Sequence, residues 1–132
     1  MNYSVFGLSA LMDRIQDWAI RALGDDVALD PKERAKRVLE EALELAQAEG
    51  VSYDEAKDLN IYVYSRSVGE PTQELAGLGL CVLAYARAKD YAFLGLVIKE
   101  LDRIDTPEMI KRVRFKHDIK VQAGLSMRRT TE

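Results

Sequence analysis

Pro31, Pro71 and Pro107 are the only prolines in the chain, and each stands where a helix can begin. Proline suits the first turn of a helix, where the N–H groups lack intrahelical partners and φ is already set by the ring. Asp30 ahead of Pro31 reads as an N-cap, with Glu33 as the second half of a capping box. Ser52 and Glu55 make another box, and Thr106 caps the start at Pro107. Gly50 ends one helix and Gly69 separates the next pair. The marks leave runs of helical length at about 8–23, 31–49, 53–65, 70–89, 91–103 and 107–123. In 31–49, Ala35, Val38, Leu39, Ala42, Leu45 and Ala46 follow the i, i+3, i+4 spacing of an amphipathic helix. The one strand-like stretch, Ile61-Tyr62-Val63-Tyr64, is too isolated to build a sheet. The expectation is an all-α fold: a helical bundle of about five or six helices, one domain over 1–132, with a poorly ordered tail from about 123.

Composition narrows the chemistry. A chain of 132 residues with 48% hydrophobic and 31% charged side chains is that of a globular protein. A single cysteine, Cys81, excludes an internal disulfide framework and a Cys-rich zinc site, and fits a reducing compartment. A single histidine, His117, excludes HExxH chemistry. The longest apolar run, Leu75 to Ala86, is too short to span a membrane and suits a buried core helix. Val5–Met12 is apolar but has no basic residue ahead of it, so no secretory signal and no membrane association are expected, and the cytoplasm is the expected location.

The net charge of −3 hides an uneven distribution. Residues 25–58 carry eleven acidic side chains against five basic ones, whereas 111–129 carry seven basic against one acidic, Asp118. A basic end of this kind suits a polyphosphate, a nucleic acid or an acidic neighbour, or is simply solvated.

Two acidic groups carry candidate chemistry. In Glu40-Glu41-Ala42-Leu43-Glu44, Glu41 and Glu44 project about 60° apart on a helix and can reach one point. Hard cations such as Mg²⁺ take several carboxylate oxygens, although glutamates on a solvated helix face are common and the motif alone is weak. The helix 70–89 is apolar nearly all round and is expected at the centre of the bundle. Glu74 opens its apolar run, with Glu70 one turn earlier on the same stripe. A buried carboxylate there must be protonated, paired or bound to a cation, unless it lies near water at the favourable helix N-terminus.

Arg37-Val38-Leu39-Glu40-Glu41-Ala42-Leu43-Glu44-Leu45, followed by Gln73-Glu74-Leu75-Ala76, resembles the all-α nucleoside triphosphate pyrophosphatases, the MazG-like group, with their E-E-x-x-E and E-x-x-D patterns. The segment Tyr62-Val63-Tyr64-Ser65-Arg66-Ser67-Val68-Gly69-Glu70-Pro71 is similar to a bacterial and phage subgroup, and the likeness runs from about Trp18 to Lys120. It implies Mg²⁺, or Mn²⁺, held by Glu41, Glu44 and Glu74. It also implies Glu41 or Glu44 as the base that takes a proton from water, and assembly as a homodimer or homotetramer. The family's fourth ligand, an Asp, falls on Gly77 here. Glu70, four residues before Glu74, is the candidate replacement carboxylate, with N-capping as the alternative. Arg114, Lys116 and Lys120 resemble the phosphate-facing end of the family.

The remaining features read as structural. Gly77 and Gly79 suit close approach of another helix, Cys81 an inert core thiol, and His117 a surface residue. Trp18, Tyr62 and Tyr64 suit packing more than base stacking. The expected activity is Mg²⁺-dependent hydrolysis of a nucleoside triphosphate to monophosphate and pyrophosphate. The alternatives are a non-catalytic nucleotide-binding or protein-interaction module and, more weakly, a nucleic-acid binder using 111–129.

Overall fold

A computed structural model describes residues 5–130, with the side chains of Val5 and Phe6 excepted. The described residues are all-helical: α1 (Val5–Leu23), α2 (Asp25–Ala28), α3 (Pro31–Ala48), α4 (Tyr53–Tyr64), α5 (Pro71–Ala88), α6 (Phe93–Ile104) and α7 (Pro107–Gln122). Apart from the single turn α2, these are the six helices expected. Ile61–Tyr64 is the last turn of α4, not a strand.

The helix starts follow the local chemistry. Ser52 accepts the Glu55 N–H while the Glu55 carboxylate accepts the Ser52 N–H, completing the box at α4. Thr106 accepts the Met109 N–H ahead of Pro107, and Asp30 accepts the Glu33 N–H. At the end of α3, Gly50 takes φ 85° while Val51 N–H reaches back to the Ala46 carbonyl, a stop that needs glycine. Ser52→Ala should lower stability by about 1 kcal/mol in urea melts, while Ser52→Asp, which keeps an acceptor, should cost less.

The chain groups into two compact units: Met1–Arg37 with Gly95–Glu132, and Val38–Leu94. The first holds the core. Ala22, Leu23 and Val27 are buried together, with Trp18, Ile110 and Val113 packed against them. Trp18 is a packing residue whose indole N–H donates to the Ile104 carbonyl at 3.1 Å. Arg21 bridges Asp17 and Asp105, and Arg14 pairs with Asp102.

The segment after α7, expected to be a poorly ordered tail, is hydrogen-bonded to this unit through residue 130. Both sides of Met127 are held: its N–H donates to Glu33 Oε1 at 3.0 Å, and its carbonyl accepts from His117 Nε2 at 2.8 Å. A carbonyl only accepts, so Nε2 carries the proton. Arg129 pairs with Asp118, and the Thr130 hydroxyl bonds Asp26. His117 is thus a buried residue, not the surface one its charged neighbours suggested. Glu33, expected to complete a local cap, is buried and serves Lys36 and Met127 instead.

The second unit is largely open. Ala86 is the one fully buried apolar residue among those described between 38 and 94. Helix α5, expected at the bundle centre, leaves Leu75, Leu80 and Leu83 more than half exposed, because no other described element covers them. Cys81, expected in the core, is exposed for the same reason. Gly77 and Gly79 face open space: a Cβ on either would meet nothing within 4 Å among the described residues, so no described helix packs closely on either.

Candidate functional site

Both acidic groups lie in the second unit. Glu41 and Glu44 sit on α3 among exposed Val38, Leu39, Leu43 and Leu45, and both glutamates are exposed. Glu70 occupies the N-cap position of α5 with extended backbone, and its side chain makes no capping hydrogen bond. Glu74, in the first turn, folds back over Gly69. A Cβ on Gly69 would stand 3.0 Å from Glu74 Cδ and closer still to Oε1. Gly69 therefore leaves the room that the Glu74 carboxylate occupies.

What links the two helices is a polar clamp at their C-terminal ends. Glu49, just past α3, accepts from the Tyr85 hydroxyl at 2.9 Å and pairs with Lys89 at 3.1 Å. The Lys89 ammonium and the Tyr85 hydroxyl hold the Glu49 carboxyl below the usual carboxylate range. Tyr91 packs edge-on against Tyr85 at 6.4 Å.

Axial position follows from this clamp. Measured back from Glu49 along α3, Glu44 lies about 7.5 Å and Glu41 about 12 Å away. Measured back from Tyr85 along α5, position 77 lies about 12 Å away, Glu74 about 16 Å and Glu70 about 22 Å. Gly77, where the resemblance places the fourth ligand, has no side chain to offer. Glu74 and Glu70 lie progressively farther from the clamp along α5.

The donor chemistry of Glu41, Glu44, Glu70 and Glu74 is that of a hard cation, all carboxylate oxygen. Among the described residues no group of three His, Cys, Asp or Glu side chains that could hold a metal ion is formed.

The basic residues lie in the other unit and have mixed duties. Arg114 donates through Nε to the Ala22 carbonyl at 2.9 Å and through Nη2 to the Arg21 carbonyl at 2.7 Å. It satisfies the last carbonyls of α1, which is structural work that pattern reading missed because the partners are more than ninety residues away. Lys116 is exposed, whereas Lys120 is half-buried and engaged. Arg129, also counted in the basic segment, is paired with Asp118. No helix among the described residues is long and apolar enough to cross a membrane. No protein-family model, no curated protein and no solved structure matches this chain.

Proposed function

We propose that the protein hydrolyses a nucleoside triphosphate to monophosphate and pyrophosphate, and that it does so as an assembly of two or four copies. The observation that carries the reading is the pair Glu41 and Glu44, exposed on one helix within the motif that resembles the all-α pyrophosphatases. Glu74 stands open at the start of a second helix of the same unit. A carboxylate can take the proton of an attacking water, the role proposed for Glu41 or Glu44. Of the basic residues expected to contact phosphate, Lys116 is exposed, while Arg114 is occupied by carbonyls. In this reading Mg²⁺ or Mn²⁺ supplies charge neutralisation at the phosphates, and its ligand set is completed only on association.

Pyrophosphate release from a panel of nucleoside triphosphates with Mg²⁺ tests the reading. Activity is expected from the parent. Glu41→Gln and Glu44→Gln should each lose about a hundredfold or more with the melting temperature nearly unchanged, because both sites are exposed. Full activity in both variants would sink the assignment of these residues.

A second reading has its own support. The open position at Gly77 favours a relative that binds nucleotide or a protein without catalysis. Saturable nucleotide binding with no pyrophosphate released from any triphosphate would select it. The nucleic-acid reading is weakened by the internal duties of Arg114 and Arg129.

A further inference from the structure

Helix α7 carries two sets of apolar residues, and only one is covered. Ile110 and Val113 pack against the buried core of the first unit. Phe115 and Ile119, one turn apart, lie outward instead: Phe115 is 67% exposed and Ile119 50%. Lys111, Arg112 and Lys116 beside them are exposed as well. A helix already anchored by one face gains nothing within the chain from a second apolar pair turned to water.

The complementary pattern stands on α3. Leu39-Glu40-x-x-Leu43-Glu44 repeats the spacing of Phe115-Lys116-x-x-Ile119-Lys120 with the charge reversed. Leu39 is 51% exposed and Leu43 48%, so this pair is uncovered too. Consecutive residues project about 100° apart, so on both helices the charges flank the apolar pair in the same rotational sense. Two helices laid face to face bring such flanks together only when they run antiparallel; in a parallel pair the flanks fall on opposite sides. Antiparallel packing sets Phe115 opposite Leu43 and Ile119 opposite Leu39. Lys116 then falls between Glu40 and Glu44, about 3 Å along the axis from each.

We propose that α7 of one copy docks antiparallel on α3 of a second copy through these two faces. Charge selects the occupant. Residues 38–94 carry ten acidic side chains against four basic, and the rest of the chain twelve against fifteen. Two acidic units face to face meet like charge, whereas α7 brings the opposite charge to the exposed leucines of α3. An anionic lipid surface fits less well, because its recognition takes about four to eight Lys or Arg beside the apolar face. The inference rests on the assembly proposed above and not on hydrolysis. It brings Lys116 of one copy to Glu44 of another, joining a cation to the carboxylates of the second unit.

Sedimentation equilibrium of the full chain, with EDTA and no nucleotide, tests this. Lys116→Glu, and separately Glu40→Lys with Glu44→Lys in one chain, should each weaken association by about tenfold or more, since each sets like charges side by side. An equimolar mixture of the two variants should recover the affinity of the parent, because every α3–α7 contact between unlike chains then joins opposite charges. Recovery on mixing is the signature of a contact between chains. If the parent associates but both variants match it, or if the mixture is no tighter than either variant alone, the contact is rejected and assembly uses other surfaces. A parent that stays monomeric overturns the contact and the assembly together, while pyrophosphate release remains a separate readout. If the double variant does not fold, Lys116→Glu and Phe115→Ala, both at exposed positions, decide: unchanged association in both rejects the contact.

Discussion

Sedimentation equilibrium at micromolar concentration should return a dimer or tetramer, not the 14.9 kDa chain. The reason lies in the second unit. Leu59, Leu75 and Leu80 are 61%, 68% and 71% exposed, and Leu39, Leu43, Ile61, Val63 and Leu83 are each about half exposed. Fully burying one such side chain is worth about 1.5–3 kcal/mol, so covering even several of them would stabilise the unit more than its single buried alanine can. Isolated apolar residues on a surface are normal, but so many on α3, α4 and α5 of one small unit are characteristic of an interface. A second copy brings the same helices and the same need.

Leu80→Glu separates this from a merely greasy surface. On a free monomer, a substitution at so exposed a position should change stability by no more than about 0.5 kcal/mol. In an interface it buries an unpaired carboxylate. The assembly should then dissociate and the melting temperature fall by roughly 10 °C. A stable monomer for the parent, with an unaltered melt for Leu80→Glu, would reject self-association.

Glu33→Ala should be the most damaging substitution in the first unit, lowering stability by about 2–4 kcal/mol. It removes at once the partner of Lys36 and the acceptor that holds the Met127 N–H. The backbone after α7 loses one of its two anchors at Met127, leaving the His117 bond. Glu33→Gln keeps an acceptor for Met127 and should cost roughly half as much.

The same carboxylate makes stability depend on pH. Burial raises its pKa, but the Lys36 ammonium, the Met127 N–H and the charge of Arg37 together outweigh burial and leave it below the ordinary 4.5. A carboxylate whose folded pKa is depressed adds stability that is complete above its unfolded pKa and is lost as pH falls through the folded value. Between pH 6 and 3 the parent should therefore lose more stability than Glu33→Gln does, measured by urea melts at each pH. Equal losses would show that Glu33 does not titrate in a coupled way with folding.

The helices were legible because their punctuation is local. Apart from α1, which starts earlier, each expected run matches its helix to within two residues, and Pro31, Pro71, Pro107, Ser52, Thr106 and Gly50 act within four residues of themselves. The one-turn α2 carried no such periodic signal. The same locality placed Glu41 and Glu44 three residues apart on one helix. Burial is a different kind of quantity, set by what lies opposite a face. Helix α5 was read as central from its apolar circumference, yet no other described element covers it, and no intrahelical pattern specifies what lies opposite a face. Glu33, His117 and Arg114 read as a cap, a surface residue and a phosphate ligand. Each instead satisfies backbone groups brought near by the tertiary fold, those of Glu33 and Arg114 more than ninety residues away. Sequence spacing likewise sets positions along α3 and α5 separately. Only the tertiary fold brings the end of α3 to the end of α5, through the contact of Glu49 with Tyr85 and Lys89.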